Sequence, residues 1–259
     1  MNVQDKVVYQ IYPKSFYDTN GDGLGDLKGV TAKLGYLKEL GVDLLWLTPF
    51  FPSPQNDGGY DVADYCAVDP RFGTMEDVET LIREARARGI GLMFDMVFNH
   101  TSTDHEWFRR ALKGDPTYLD YYIFKDGVPG SPPTNWESKF GGSAWEYVPA
   151  LKKYYLHLFD VSQADLNWEN PRVREALKNV IRFWKAKGVE NLISKPAVFE
   201  NDYEGDGRRF YTDGRHVHEF LKELTADTGI DAMITVGEMS STTIENCIRY
   251  SNPKEKELS

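Results

Sequence analysis

Four times along the chain an amphipathic helical stretch runs into a glycine, a β-branched residue and then a short apolar run. The first stretch sets Val30, Leu34, Leu37 and Leu40 at helical spacing, stops at Gly41, and gives way to Asp43-Leu-Leu-Trp-Leu-Thr-Pro49. The second opens on Thr74 with Asp77 three residues later, a variant of the capping box. It continues through Met75, Val78, Leu81, Ile82 and Ala85 to Gly89, before Gly91-Leu-Met-Phe-Asp-Met-Val-Phe98. Asn170-Pro171 starts a third, with Val173, Leu177, Val180, Ile181 and Trp184 on one face and Gly188 as its stop. The fourth presents Val217, Phe220, Leu221 and Leu224, ends at Gly229 and leads into Ile230 to Val236.

A glycine just past a helix supplies the left-handed residue that closes it. Runs that are apolar at every position suit strands buried on both faces of a parallel sheet. With Val7-Val-Tyr-Gln-Ile-Tyr12 in front, the order is β-α-β-α-β, an insert, and more of the same. That order predicts an α/β chain, doubly wound or a (β/α)8 TIM barrel. The insert covers about Thr101 to Asn167, is rich in aromatics and turn residues, and predicts a small irregular domain grown from the loop after strand three. The expected divisions are therefore residues 1–100, 101–167 and 168–259.

Composition narrows the field. The 259 residues are 41% hydrophobic and 27% charged, which excludes disorder and a disulfide scaffold. No apolar run approaches the length of a membrane span. The net charge of −10 speaks against a general nucleic-acid binder. Cys66 and Cys247 are too few for a disulfide framework, and no signal-peptide pattern opens the chain, so a cytoplasmic setting is expected.

Two groups of residues carry candidate chemistry. In Asp18-Thr-Asn-Gly-Asp-Gly-Leu-Gly-Asp26, the residues Asp18, Asn20, Asp22, Leu24 and Asp26 fall at the oxygen-donating positions of a calcium loop, with Gly23 at its sharp turn. The glutamate that would close a twelve-residue loop is replaced by Gly29, so a structural Ca²⁺ loop without an EF-hand is expected. The second group is Asp95, Asn99 and His100 after the third apolar run, and Glu238 after the fourth. In a barrel these strand ends converge on one mouth, and paired carboxylates in a sugar-sized cleft are what glycoside hydrolysis requires.

Gly59-Tyr60-Asp61-Val-Ala-Asp-Tyr65, Asp95-Met-Val-Phe-Asn-His100 and Gly237-Glu238 resemble, in order, the successive motifs of the α-amylase superfamily of retaining glycosidases. The resemblance spans essentially the whole chain. It points to the branch containing oligo-1,6-glucosidases, dextran glucosidases and trehalose-6-phosphate hydrolases. Ser138-Lys-Phe-Gly-Gly-Ser-Ala-Trp145, Gln163-Ala-Asp-Leu-Asn167 and Gly205-Asp-Gly-Arg-Arg-Phe-Tyr-Thr-Asp-Gly214 lean toward the last of these. The resemblance implies an incomplete (β/α)8 TIM barrel acting on a small sugar or sugar phosphate, with no nucleic-acid or membrane partner. It further implies Glu238 as general acid/base, Tyr60, Asp61 and His100 around the non-reducing glucose, Asp95 and Asn99 in support, and calcium in the Asp18 loop. The implied reaction is hydrolysis of trehalose 6-phosphate to glucose and glucose 6-phosphate. Cleavage of isomaltose-type sugars and a non-catalytic fragment are the alternatives.

One departure stands out. Where the family reads Gly-Val-Asp-Gly-Phe-Arg-Leu-Asp-Val and then Asn-Leu-Ile-Ser-Lys, this chain reads Gly188-Val-Glu-Asn-Leu-Ile-Ser-Lys195. The stretch bearing the family's nucleophilic aspartate is absent, and strand four is expected to be largely missing. A barrel takes about 250 residues, more than remain once the insert is set aside, so strands six to eight are expected to be lacking as well. Arg208 and Arg209 have the chemistry for a phosphate, but a solvated loop is the expected reading of that stretch.

Overall fold

A computed structural model shows what this pattern builds over residues 5–189, 191–194, 213–214, 216–238 and 242–258. The first part runs β1 (Val8–Ile11), α1 (Pro13–Phe16), α2 (Leu27–Ala32), α3 (Leu34–Glu39), β2 (Leu44–Leu47), α4 (Met75–Ala87) and β3 (Gly91–Met96). The insert follows as β4 (His100–Ser102), α5 (Glu106–Leu112), α6 (Pro116–Leu119), β5 (Phe124–Asp126), β6 (Trp145–Val148), β7 (Lys153–Leu156) and β8 (Gln163–Asp165). The last part is α7 (Pro171–Ala186), β9 (Asn191–Ser194), α8 (Val217–Thr228), β10 (Ile234–Gly237) and α9 (Ile244–Tyr250).

Local signals explain most boundaries. The Thr74 hydroxyl accepts from the Asp77 N–H at 3.3 Å, and the Thr74 N–H donates to the Asp77 carboxylate at 2.8 Å, which completes the capping box of α4. Asn170 caps α7 by accepting from the Arg172 N–H at 2.8 Å, and Pro171 takes the first helical position, where no N–H is needed. Gly229 closes α8 at φ 63°. Two expectations shift. The first helical stretch is two helices, because Lys33 leaves helical geometry at φ −96° and ψ 2°. The fourth apolar run begins with one turn of 3-10 helix, Ile230–Ala232, before β10 extends.

β1, β2, β3, β9 and β10 form one parallel sheet in that order. The sheet is open, with β1 and β10 at its edges, so the expected barrel is present only as this five-stranded part. The fourth place, expected to be largely vacant, holds the four residues of β9, paired to β3 and β10 on its two sides. Neighbouring parallel strands offer unpaired backbone donors and acceptors on both sides of that slot, and a short extended segment satisfies them. The insert makes two antiparallel sheets of its own, β4 with β8 and β5-β7-β6.

Helices α2, α4 and α7 bury their apolar stripes against the parallel sheet. The densest contact is aromatic: Trp184 of α7 packs at 5.2 to 6.0 Å between ring centroids from Phe94 of β3 and from Phe50 and Phe51 after β2. Its indole N–H donates to the Tyr65 carbonyl at 2.8 Å, so the polar end of this buried ring is satisfied. Among the described residues no helix is long and apolar enough to cross a membrane.

Candidate active site

The carboxyl ends of the parallel strands carry the polar residues that the sequence singles out. β3 delivers Asp95, its continuation delivers Asn99 and His100, the loop after β2 delivers Tyr60 and Asp61, and Glu238 follows β10 directly. A cleft of about 360 Å³ opens there. Tyr60, His100, Glu238, Gln10, Trp46 and Asp57 line one side of it, and Phe140 and Phe159 of the insert line the other.

Asp95 is hydrogen-bonded to two residues of this lining. It is 1% exposed and accepts from the Tyr60 hydroxyl at 3.1 Å and from the Trp46 indole N–H at 3.3 Å. Burial, followed by the charge of Asp95, pushes the Tyr60 phenol well above its ordinary range, so it stays protonated and acts as a donor. Tyr12 is raised in the same direction, by burial and then by Asp57 and Asp95. The Asn99 amide nitrogen lies 2.9 Å from His100 Nδ1, and His100 Nε2 lies 3.1 Å from the Tyr60 carbonyl.

Asp61, expected beside the sugar, and Asn99, expected in support, are both absent from the lining of the cleft. Asp61 is fully buried and accepts from the Ser53 hydroxyl at 2.5 Å and the Asn56 N–H at 2.9 Å, so it shapes the loop that presents Tyr60. Asn99 donates to Asp165 at 2.6 Å behind His100. Asp165, which the sequence reading passes over, takes that bond and a second from the Leu158 N–H at 2.5 Å. Burial pushes its carboxyl up to about 7, partly opposed by these donors. Gln163 is a second omission: its amide joins Asp57 at 2.9 Å and approaches His100 Nε2 at 3.0 Å. Both sit in a short polar stretch whose burial nothing in the local sequence announces.

The sheet register fixes what lies between the two acidic strand ends. β9 pairs Ile193 with Asp95 on one side and with Val236 on the other, and Ser194 with Met96 and Gly237. Its four residues, Asn-Leu-Ile-Ser, include no carboxylate. Glu190, Arg208 and Arg209 lie outside the described residues.

The Asp18 loop is a closed set of backbone bonds. Asp18 accepts from the N–H groups of Gly23 at 2.9 Å, Gly21 at 2.7 Å and Asn20 at 3.0 Å, which hold its carboxyl below its ordinary range. Gly21 and Gly23 adopt φ 79° and 91°, the left-handed turn that lets Asp18, Asn20 and Asp22 share one concavity. Those oxygens suit a hard cation in kind. Asp26 is engaged elsewhere: it takes the Thr19 hydroxyl and N–H and caps α2 through the Gly29 N–H at 2.7 Å. Among the described residues no group of three or more His, Cys, Asp or Glu side chains is gathered for a metal.

Comparison with known proteins follows the same lines. Residues 10–259 match the alpha amylase catalytic domain family. Over 264 residues the chain is 56% identical to the trehalose-6-phosphate hydrolase of Escherichia coli (strain K12), covering 99% of this chain and 48% of that protein. It is 48% identical to an oligo-1,6-glucosidase of Parageobacillus thermoglucosidasius, covering 98% of this chain and 48% of that one. The crystal structure of Bacillus licheniformis trehalose-6-phosphate hydrolase superimposes with a TM-score of 0.94 at 53% identity, over 98% of this chain and 48% of that one. The chain thus spans about half the length of the curated relatives it matches.

Proposed function

Because the chain belongs to the alpha-amylase family of glycoside hydrolases, we propose that its cleft receives the non-reducing glucose of an α-linked disaccharide, with trehalose 6-phosphate as the preferred ligand. The carrying observation is the convergence of Tyr60, His100 and Glu238 on one cleft over Asp95. Tyr60 and His100 supply ring faces against which a sugar can pack. Glu238, exposed at the end of β10, is the proton donor to the glycosidic oxygen. A retaining mechanism then needs a second carboxylate about 5 Å from the first to form the glycosyl-enzyme. The strand between Asp95 and Glu238 offers none. The function proposed for this chain is therefore that of a phosphotrehalase-type α-glucosidase impaired in its covalent step.

Trehalose 6-phosphate is placed ahead of isomaltose because identity is higher to a trehalose-6-phosphate hydrolase than to an oligo-1,6-glucosidase. Calorimetric titration of the two disaccharides into the chain tests this. Tighter binding of trehalose 6-phosphate is expected, and tighter binding of isomaltose would move the assignment to the oligo-1,6-glucosidases.

The loop at residues 18–26 is proposed to hold a calcium ion through Asp18, Asn20, Asp22 and the Leu24 carbonyl. The ion would screen carboxylates that otherwise repel one another. A ligand present at a hundred times its Kd stabilises the folded state by about 2.7 kcal/mol. Melting in calcium is therefore expected several degrees above melting in chelator, since about 1 kcal/mol moves a domain of this size by about 2–4 °C. Asp22→Ala should abolish the difference, and identical melts of the unsubstituted chain would remove the calcium proposal.

A further inference from the structure

Resting on the reading of the cleft as a sugar site, we propose that Lys139 recognises the phosphate of a sugar phosphate at its mouth. The walls of the cleft are acidic, with Asp57 and Glu238 on its lining and Asp95 beneath Tyr60. A phosphate dianion brought to such walls is repelled unless a fixed cation stands beside its path.

Lys139 has that station. Its ammonium lies over the ring of Phe159, 5.1 Å from the centroid. Phe159 lines the cleft, with its ring 5.1 Å from that of His100 and 6.0 Å from that of Phe140. Phe140 follows Lys139 in sequence and is 59% exposed at the rim. The lysine is therefore one aromatic ring away from a residue proposed to touch the sugar. Its charge reaches inward as well, drawing down the Asp165 carboxyl against the effect of burial.

The backbone that carries Lys139 is pinned. Its N–H donates to the Leu158 carbonyl at 2.7 Å, and the Ser138 hydroxyl donates to the Phe159 carbonyl at 2.7 Å and accepts from the Phe140 N–H at 3.1 Å. Fixing the stem sets the reach of the ammonium over the Phe159 ring, which suits a point-charge contact to a phosphate on a primary carbon. The stretch Ser138 to Trp145 is also one of the three that set the chain apart in sequence, and nothing in the chemistry at Glu238 uses it.

Glucose and glucose 6-phosphate, titrated by calorimetry into the unsubstituted chain, Lys139→Ala and Lys139→Arg, separate the possibilities. A charge-assisted contact of this kind is expected to give glucose 6-phosphate an advantage of about tenfold over glucose. Lys139→Ala should lose that factor with glucose binding unchanged, Lys139→Arg should keep most of it, and added salt should erode the advantage alone. An alanine variant that retains the advantage overturns the role of Lys139. A chain that binds glucose and gains nothing from the phosphate overturns this inference and leaves the sugar site standing. A chain that binds neither overturns the sugar site and this inference together.

Discussion

Trehalose 6-phosphate incubated with the purified chain is expected to release glucose 6-phosphate at least about 10²-fold below ordinary enzymatic turnover, and more slowly still with Glu238→Gln. The reason lies in the register of the parallel sheet. β9 fills the slot between β3 and β10, so Asp95 faces Ile193 and Gly237 faces Ser194. Among the described residues, the strand between Asp95 and Glu238 carries no carboxylate to attack an anomeric carbon. Proton donation by Glu238 alone is worth about 10²–10⁴-fold, against the 10⁶-fold or more that enzymes supply. The open sheet takes away more, since a site short of strands holds sugar and acid less firmly in reacting geometry. Turnover in the ordinary range that Glu238→Gln abolishes would mean that another carboxylate attacks.

A second large effect is concealed in the pH dependence of stability. Two buried groups titrate in opposite senses over the same interval. Asp165 stands at about 7 when folded, against about 3.9 in an unfolded chain. The folded state therefore holds the extra proton, and this contribution is full below about pH 4 and lost as pH rises through 7. His105 stands at about 4, pushed down by burial, against about 6.5 unfolded. Its Nδ1 accepts from the Trp107 N–H at 3.1 Å, a cap that needs the neutral ring. This contribution is full above about pH 6.5 and lost as pH falls through 4. Each slope is about 1.4 kcal/mol per pH unit, so between about pH 4 and 6.5 the two cancel.

Single substitutions should unmask them. Asp165→Asn is expected to lower stability at every pH, because its amide nitrogen faces either the Leu158 N–H or the Asn99 amide. Relative to the unsubstituted chain, its stability should climb by about 3 kcal/mol from pH 4 to 6.5. His105→Asn keeps a capping oxygen and should show the opposite tilt, falling by a similar amount. Urea unfolding at half-unit steps measures both. Curves parallel to that of the unsubstituted chain would mean that neither group is held away from its ordinary pKa.

The sequence displays the parts of this molecule that repeat. α4, α7 and α8 are legible because an apolar face at helical spacing and a terminal glycine agree at each, with a capping side chain added at α4 and α7. β2 and β3 are legible because a strand covered on both faces is apolar at nearly every position, and β1 by its largely apolar run although it is an edge strand exposed at Val8 and Gln10. The insert is not, since β5, β6 and β7 are only three or four residues long and aromatic, with no clean alternation of buried and exposed positions. In the site, Asp95 and Glu238 announce themselves as acids at the ends of apolar runs. Asp165 does not, because a carboxylate buried by distant segments looks in sequence like any polar turn residue. Asp61 is found but with a different office, shaping a loop instead of lining the cleft.

Trp184 bears on the order in which the molecule is made. Its ring partners Phe50, Phe51 and Phe94 and its acceptor Tyr65 all precede it in the chain. A ribosome that has released residue 189 has therefore already delivered every group of that aromatic nucleus, and domains fold from the N-terminal side as they emerge. The departure from the family pattern begins at residue 190, just behind that point. A growing chain carrying it meets a finished template of β1, β2 and β3, on which β9 and β10 are later additions. An alteration there leaves untouched the nucleus on which the protein folds.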